Sequence, residues 1–236
     1  RYQPRSRGLG DVYKRQLLDY EVQYSIFLSF YTAAIATLLA FIFGTPLAYI
    51  LARKDFPLKR IVDSIIDIPI LLPHTVAGIA LLTLFGESGP IGAILSSYGI
   101  HFIDTIFGII VAQMFVSAPF YIKTVRESFQ EIDPRYHHVA RTLGAKPSKA
   151  FLYIELPMAT HSIITGCILS WARAISEFGA VIILAYYPTT APVLIYKRFI
   201  LFGLSAVIPI TSVLIVITLI IFAIVKYIQL KGTKEE

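Results

Sequence analysis

The sequence predicts an all-α, polytopic membrane protein, and three observations lead there. Of 236 residues, 56% are hydrophobic and only 15% are charged, where a soluble domain carries about 25% charged residues. The mean hydropathy is +0.70. The apolar residues are also segregated into long blocks, and between Glu21 and Arg53 there is no charge at all. A hydrocarbon slab about 30 Å thick is crossed by roughly 20 apolar residues in a helix, so blocks of this length read as spans.

Five spans are expected, at about 25–51, 61–85, 103–122, 158–184 and 204–226. The basic residues lie between them, which sorts the connections. Segment 52–60 holds Arg53, Lys54, Lys59 and Arg60; segment 123–157 holds Lys123, Arg126, Arg135, Arg141, Lys146 and Lys149; the tail holds Lys226, Lys231 and Lys234. Segment 86–102 has no Lys or Arg, and 185–203 has only Lys197 and Arg198. The excess of positive charge on cytoplasmic loops places 52–60, 123–157 and the C-terminal tail 227–236 in the cytoplasm, with the spans in the cell membrane. A net charge of +6 distributed this way serves topology rather than nucleic acid.

Residues 1–16 break the pattern. They carry Arg1, Arg5, Arg7, Lys14 and Arg15 on what five spans make the outer side, with neither an apolar core nor a cleavage site. The expectation is a foreign leader in place of a first span, with the permease domain at 17–226; a short native arm is the alternative. Several spans contain Pro or Gly: Gly44 and Pro46, Pro69 and Pro73, Pro119, Pro209. Bundles tolerate such breaks where neighbours satisfy the freed carbonyl.

Segment 123–157 is the one long polar stretch. Asp133 is a helix cap, Pro134 suits the first helical position, and Gly144 supplies a left-handed stop. The intervening rod is about 15 Å long, too short to span and marginal in isolation, so it must pack on something. A second helix is expected from Pro147, leading through Phe151 and Ile154 to Leu156-Pro157 at the membrane surface. Adjacent His137 and His138 point about 100° apart on a helix and make a poor chelate.

The run His138-Val139-Ala140-Arg141-Thr142-Leu143-Gly144, nine residues, then Ile154-Glu155-Leu156-Pro157 resembles the EAA loop of ABC importer permeases. The match falls at Ala140, Gly144, Ile154, Leu156 and Pro157; His138 and Val139 stand where that family has Glu and Ala. Ser170-Trp171-Ala172-Arg173-Ala174-Ile175-Ser176-Glu177-Phe178-Gly179-Ala180, Phe43-Gly44-Thr45-Pro46-Leu47-Ala48-Tyr49 and Pro73-His74-Thr75-Val76-Ala77-Gly78 resemble the oxyanion branch of these permeases, closest to the molybdate/tungstate kind. The resemblance covers about residues 25–226. It implies the type I importer permease fold with six spans, a homodimer, separate ABC ATPase subunits that bind the ATP, and an extracytoplasmic oxyanion-binding protein. It also implies that the loop residues His138, Val139, Ala140, Arg141, Gly144, Ile154, Leu156 and Pro157 couple the spans to the ATPase. No cofactor is expected on this chain itself.

Ionisable residues inside a membrane are functional candidates because their desolvation is expensive. Arg173 and Glu177 lie one helical turn apart and can pair. Two readings stay open: Arg173 lines or gates an oxyanion path, or the pair only orients two helices. Asp63 and Asp67 are expected to satisfy a helix end rather than bind a cation, and His74 and His161 to be hydrogen-bonded core residues rather than haem ligands, since there is no Cys-x-x-Cys-His. The aromatic and proline run Tyr186 to Pro192 suits the membrane interface, with contact between Lys197, Arg198 and a binding protein as the alternative. The sequence has no Gly-x-x-x-x-Gly-Lys-Ser/Thr, no Gly-x-Ser-x-Gly and no His-Glu-x-x-His, so no ATPase or hydrolase motif is present. The single Cys167 excludes a disulfide within one chain. A sulfate permease, a secondary carrier or a channel are the competing readings; a carrier should show inverted repeats, and none is evident.

Overall fold

A computed structural model describes residues 18–232; the expected leader 1–16 and the end of the tail lie outside the described residues. The architecture is helical throughout the described residues. Helix α1 (Tyr20–Arg53) begins at Asp19, whose Oδ1 accepts from the Glu21 N–H at 3.1 Å. Its buried face is a ladder of small residues, including Ser25, Ser29, Ala33, Ala36, Ala40, Gly44 and Ala48. Small side chains let helix backbones approach closely where lipid supplies no hydrophobic drive for association. The hydroxyls of Ser25, Ser29, Thr32, Thr37 and Thr45 donate to carbonyls four residues back, so the polar atoms on this face are satisfied within the helix.

Helices α2 (Lys59–Leu71) and α3 (His74–Phe85) meet at a bend of 120°, where a continuous span 61–85 was expected. The cause is local. Leu72, preceding Pro73, is extended at φ −76°, ψ 139°, the conformation that proline favours in the residue before it. After a short α4 (Gly92–Ser96), α5 (Ile106–Glu131) starts at the Thr105 cap and runs nine residues past the expected end of the span. Lys123 and Arg126 therefore lie on a helix rather than in the loop. Their partners are the α2 carboxylates, Lys123 Nζ to Asp67 Oδ1 at 2.7 Å and Arg126 Nη1 to Asp63 Oδ1 at 2.6 Å. Asp63 and Asp67 thus clasp a neighbouring helix instead of serving their own helix end.

The loop segment forms α6 (Pro134–Thr142), α7 (Pro147–Ala150), a π-helical turn (Phe151–Glu155) and α8 (Leu156–Met158). The chain then bends by 70° into α9 (Thr160–Ile175). The expected span 158–184 is interrupted at Ser176–Phe178 before α10 (Gly179–Leu184). The expected outer loop contains a helix, α11 (Ala191–Phe202), and α12 (Ile208–Gly232) follows a left-handed Gly203 at φ +77°. Helices α1 and α5 are each long and apolar enough to cross a membrane unbroken, and each bent pair can supply one more span.

The centre of the bundle is Tyr121, fully buried on α5. A Cβ on Gly44 of α1 would sit 2.9 Å from its ring, and one on Gly166 of α9 would sit 3.1 Å away. The two glycines hold the ring between the two helices, and its hydroxyl meets Thr45 Oγ1 at 2.5 Å. A second core joins α3, α5 and α10 through Ala77, Leu81, Ile109, Ala180 and Leu184.

Candidate coupling face and translocation site

Helix α6 is built as the sequence indicates. Asp133 Oδ1 accepts from the Arg135 N–H at 2.9 Å, Pro134 takes the first turn, and Gly144 stands at φ +88°. Ala140 is buried against the rest of the loop, whereas His138, Arg141, Val139 and Leu143 are exposed, Leu143 by 82%. Asp133, Arg135, Tyr136, Val139, Ala140, Leu143 and Ile154 line a groove of about 480 Å³. Apolar side chains left exposed together on a short polar helix make it a candidate interaction surface. Leu156 is half-buried, and Pro157 is exposed at the turn into α9.

Behind α6 lies a group that sequence reasoning did not single out. Glu155, in the π-helical turn, has a side chain only 1% exposed. It accepts from Tyr49 Oη at 2.9 Å and Arg53 Nε at 2.8 Å, both on α1, and lies 2.6 Å from His137 Nδ1 on α6. As a carboxylate Glu155 only accepts, so the His137 proton that meets it sits on Nδ1. Tyr49, Phe129 and Phe151 pack ring to ring at 4.5 to 6.0 Å beside it. The available signal was Tyr49 and Arg53, four apart at the end of a chargeless span.

The second candidate site is at the broken helices. Arg173 Nη2 donates to Glu177 Oε2 at 2.8 Å, which places the expected pair together. Glu177 is 1% exposed and Arg173 18%. The other carboxylate oxygen, Glu177 Oε1, accepts from the Ala180 N–H at 2.8 Å and so starts α10. His74, the first residue of α3, joins them: its two ring nitrogens lie 3.0 and 3.1 Å from Arg173 Nη2. A guanidinium can only donate, and a neutral imidazole can accept from it at one of these two nitrogens. His74 is half-exposed, not the core histidine that was expected. The approach depends on Gly179, where a Cβ would stand 2.6 Å from the His74 Cβ. His161 is exposed on α9 and takes no part in this group.

At the opposite end of α1, Arg198 Nη2 donates to Asp19 and, at 2.7 Å, to Glu21, with Lys197 Nζ 3.4 Å from Glu21. The two cations are thus engaged within the chain, tying α11 to α1. Partial burial by itself would raise the Asp19 carboxyl. The hydrogen bonds from Arg198 and the Glu21 N–H, with the guanidinium charge, outweigh it and hold Asp19 below its usual value. Tyr187 donates its N–H to Asp104 nearby.

The described residues thus present long apolar helices, bent helix pairs and a short capped helix between them. The chain belongs to the family of binding-protein-dependent transport system inner membrane components, whose pattern it matches over residues 44–231. It is 44% identical over 219 residues to the molybdate/tungstate transport system permease protein WtpB of Pyrococcus furiosus, covering 93% of this chain and 83% of that one. It is 38% identical over 202 residues to the probable sulfate transport system permease protein of Chlorokybus atmophyticus, covering 84% and 71%. Its fold is similar to that of a bacterial alginate ABC transporter solved in complex with an alginate pentasaccharide-bound periplasmic protein. That likeness has a TM-score of 0.75 at 18% identity and covers 95% and 83% of the two chains.

Proposed function

We propose that this chain is the membrane subunit of an ATP-driven importer of molybdate or tungstate. The observation that carries the reading is the capped, outward-facing α6 within a chain whose relative at 44% identity is a molybdate/tungstate permease. Two copies face each other across a central path, with the C-terminus in the cytoplasm. An extracytoplasmic binding protein delivers the oxyanion. Hydrolysis belongs to separate ABC ATPase subunits, since this chain has no phosphate-binding Gly-x-x-x-x-Gly-Lys-Ser/Thr loop.

The ATPase takes hold of α6 at His138, Val139, Ala140, Arg141 and the Gly144 turn, with Ile154, Leu156 and Pro157 passing its motion into α9. ATP-dependent closure of the ATPase favours one packing of the spans over the other, a population shift driven by differential contact. Arg173, held by Glu177 and reached by His74, is the cationic group at the break in α9, and a tetrahedral dianion passing there exchanges with Glu177 for the guanidinium donors.

The test is uptake of radiolabelled tungstate into liposomes holding this chain, its ATPase and its binding protein, with Gly144→Trp as the uncoupled variant. ATP-dependent uptake that Gly144→Trp abolishes and that molybdate, but not sulfate, competes away is the expected result. Equal competition by sulfate moves the substrate to the sulfate permeases. Flux without ATP or partners overturns the reading in favour of a channel or carrier.

A further inference from the structure

We infer that Glu155 is a positioning residue that locks the docking helix α6 to the loop-side end of α1, so that a displacement of α6 is delivered to α1 directly as well as along the chain into α9. This rests on the coupling reading of α6 and extends it to a residue outside the matched motif positions.

The geometry supports this in four steps. Tyr49 and Arg53 are one turn apart on α1, so they present two donors from one face of a rigid span. His137 projects from α6 to the same carboxylate. Glu155 therefore bonds to two elements that lie far apart in sequence, and it belongs to neither. The π-helical turn Phe151–Glu155 inserts one extra residue into the helix, which re-aims a side chain, here into the interior. The rings of Tyr49, Phe129 and Phe151 pack beside the cluster. Away from water, a charge-assisted hydrogen bond is stiffer and stronger than at a solvated surface.

Much of α6 is otherwise free to follow a docked partner. Tyr136, Val139 and Leu143 are exposed, and Ala140 is its one buried residue. Without the carboxylate, α6 is held by Ala140 and by the chain itself. Glutamine in place of Glu155 keeps the size and removes the charge. With its oxygen on Arg53 Nε, its NH2 meets Tyr49 and His137 only if both turn from donor to acceptor, so the charge-assisted bonds to α1 and α6 are lost.

The experiment has two readouts on the full chain. Spin labels at Lys54→Cys and Thr142→Cys, in a Cys167→Ala background in nanodiscs, report the distance between the end of α1 and α6. The expected result is one narrow distance population with Glu155 and a clearly broader one with Glu155→Gln. An unchanged width overturns the inference. In liposomes with the ATPase and the binding protein, Glu155→Gln is expected to keep ATP hydrolysis within about twofold while tungstate taken up per ATP falls about tenfold, the factor that one charge-assisted hydrogen bond is worth. A purely architectural role lowers both rates together and leaves their ratio unchanged, which also overturns the inference. Should Glu155→Gln fail to assemble, His137→Leu cuts only the α6 side of the clasp and must give the same broadening and the same loss of ratio. If the unsubstituted chain does not associate with the ATPase at all, the coupling reading itself fails; association with normal coupling in Glu155→Gln sinks only the present inference.

Discussion

Removing Glu177 is the most informative single perturbation, because two functions of one carboxylate are lost together. In Glu177→Leu the Arg173 guanidinium loses its 2.8 Å partner, and the Ala180 N–H loses its acceptor. Breaking a buried ion pair costs about 3–5 kcal/mol. Arg173 retains 18% exposure and contacts with His74 and Ser176, which argues for the lower end of that range. Loss of the acceptor at the start of α10 adds about 1 kcal/mol. The sum is about 4 kcal/mol, and at about 2–4 °C per kcal/mol for a chain of this size it lowers Tm by about 8–16 °C. Arg173→Met alone leaves a carboxylate that is 1% exposed with a single N–H donor, and should be no milder. The double variant Arg173→Met/Glu177→Leu removes both charges, and replacing a buried pair by apolar groups is often neutral. It should therefore be more stable than either single variant. Thermal unfolding in detergent, followed by the fluorescence of the single Trp171, measures all three. A double variant as damaged as the two singles summed would refute the pairing argument. The same folded double variant also separates gate from scaffold: unchanged uptake rate and affinity would take Arg173 out of the anion path.

Tyr121→Ala empties the space between Gly44 and Gly166 and should cost about 3–5 kcal/mol, while Tyr121→Phe loses only the Thr45 contact, about 1 kcal/mol; the two Tm values check the ratio. At Gly144, φ is +88° and a Cβ would meet no atom within 4 Å. The penalty there is conformational, so stability should fall in the order Gly, Asn, Ala, with about 1–2 kcal/mol between the extremes, read again as Tm. Asp19 is held below its ordinary 3.8, so its clasp on Arg198 is present above that pH and is lost as pH falls through the lowered value. Asp19→Asn should therefore destabilise the chain slightly at pH 7, by less than about 1 kcal/mol for a pair whose carboxylate still meets solvent, read as a small fall in Tm. The difference from the parent chain should vanish in strong acid; a Tm gap that persists there contradicts the assignment.

Composition and charge order alone were enough for a helical, multi-pass chain, because a bilayer imposes length and polarity on every span. Helix α6 was equally legible. Asp133, Pro134 and Gly144 act on their immediate neighbours, so cap, first turn and stop can be read from adjacent residues. Arg173 and Glu177 were legible for the same reason, being one turn apart on one helix.

What could not be read were the contacts between residues distant in the chain. Lys123 and Arg126 look like loop residues until α2 supplies Asp63 and Asp67. Lys197 and Arg198 look available to a partner until Asp19 and Glu21 meet them. His74 reaches Arg173 only because α3 turns back by 120° and Gly179 lets it approach. Glu155 reads as an ordinary surface acid within its own segment, and a π-helical turn, one residue out of step with the helical period, directs it inward to Tyr49, Arg53 and His137. The medium, the helices and their caps follow from chemistry between near neighbours along the chain, and that chemistry is written in residue order. Which charge neutralises which between different helices followed only from the packed bundle, because such a pair is set by proximity in space, and only pairs within one helix, such as Arg173 and Glu177, are encoded by spacing along the chain.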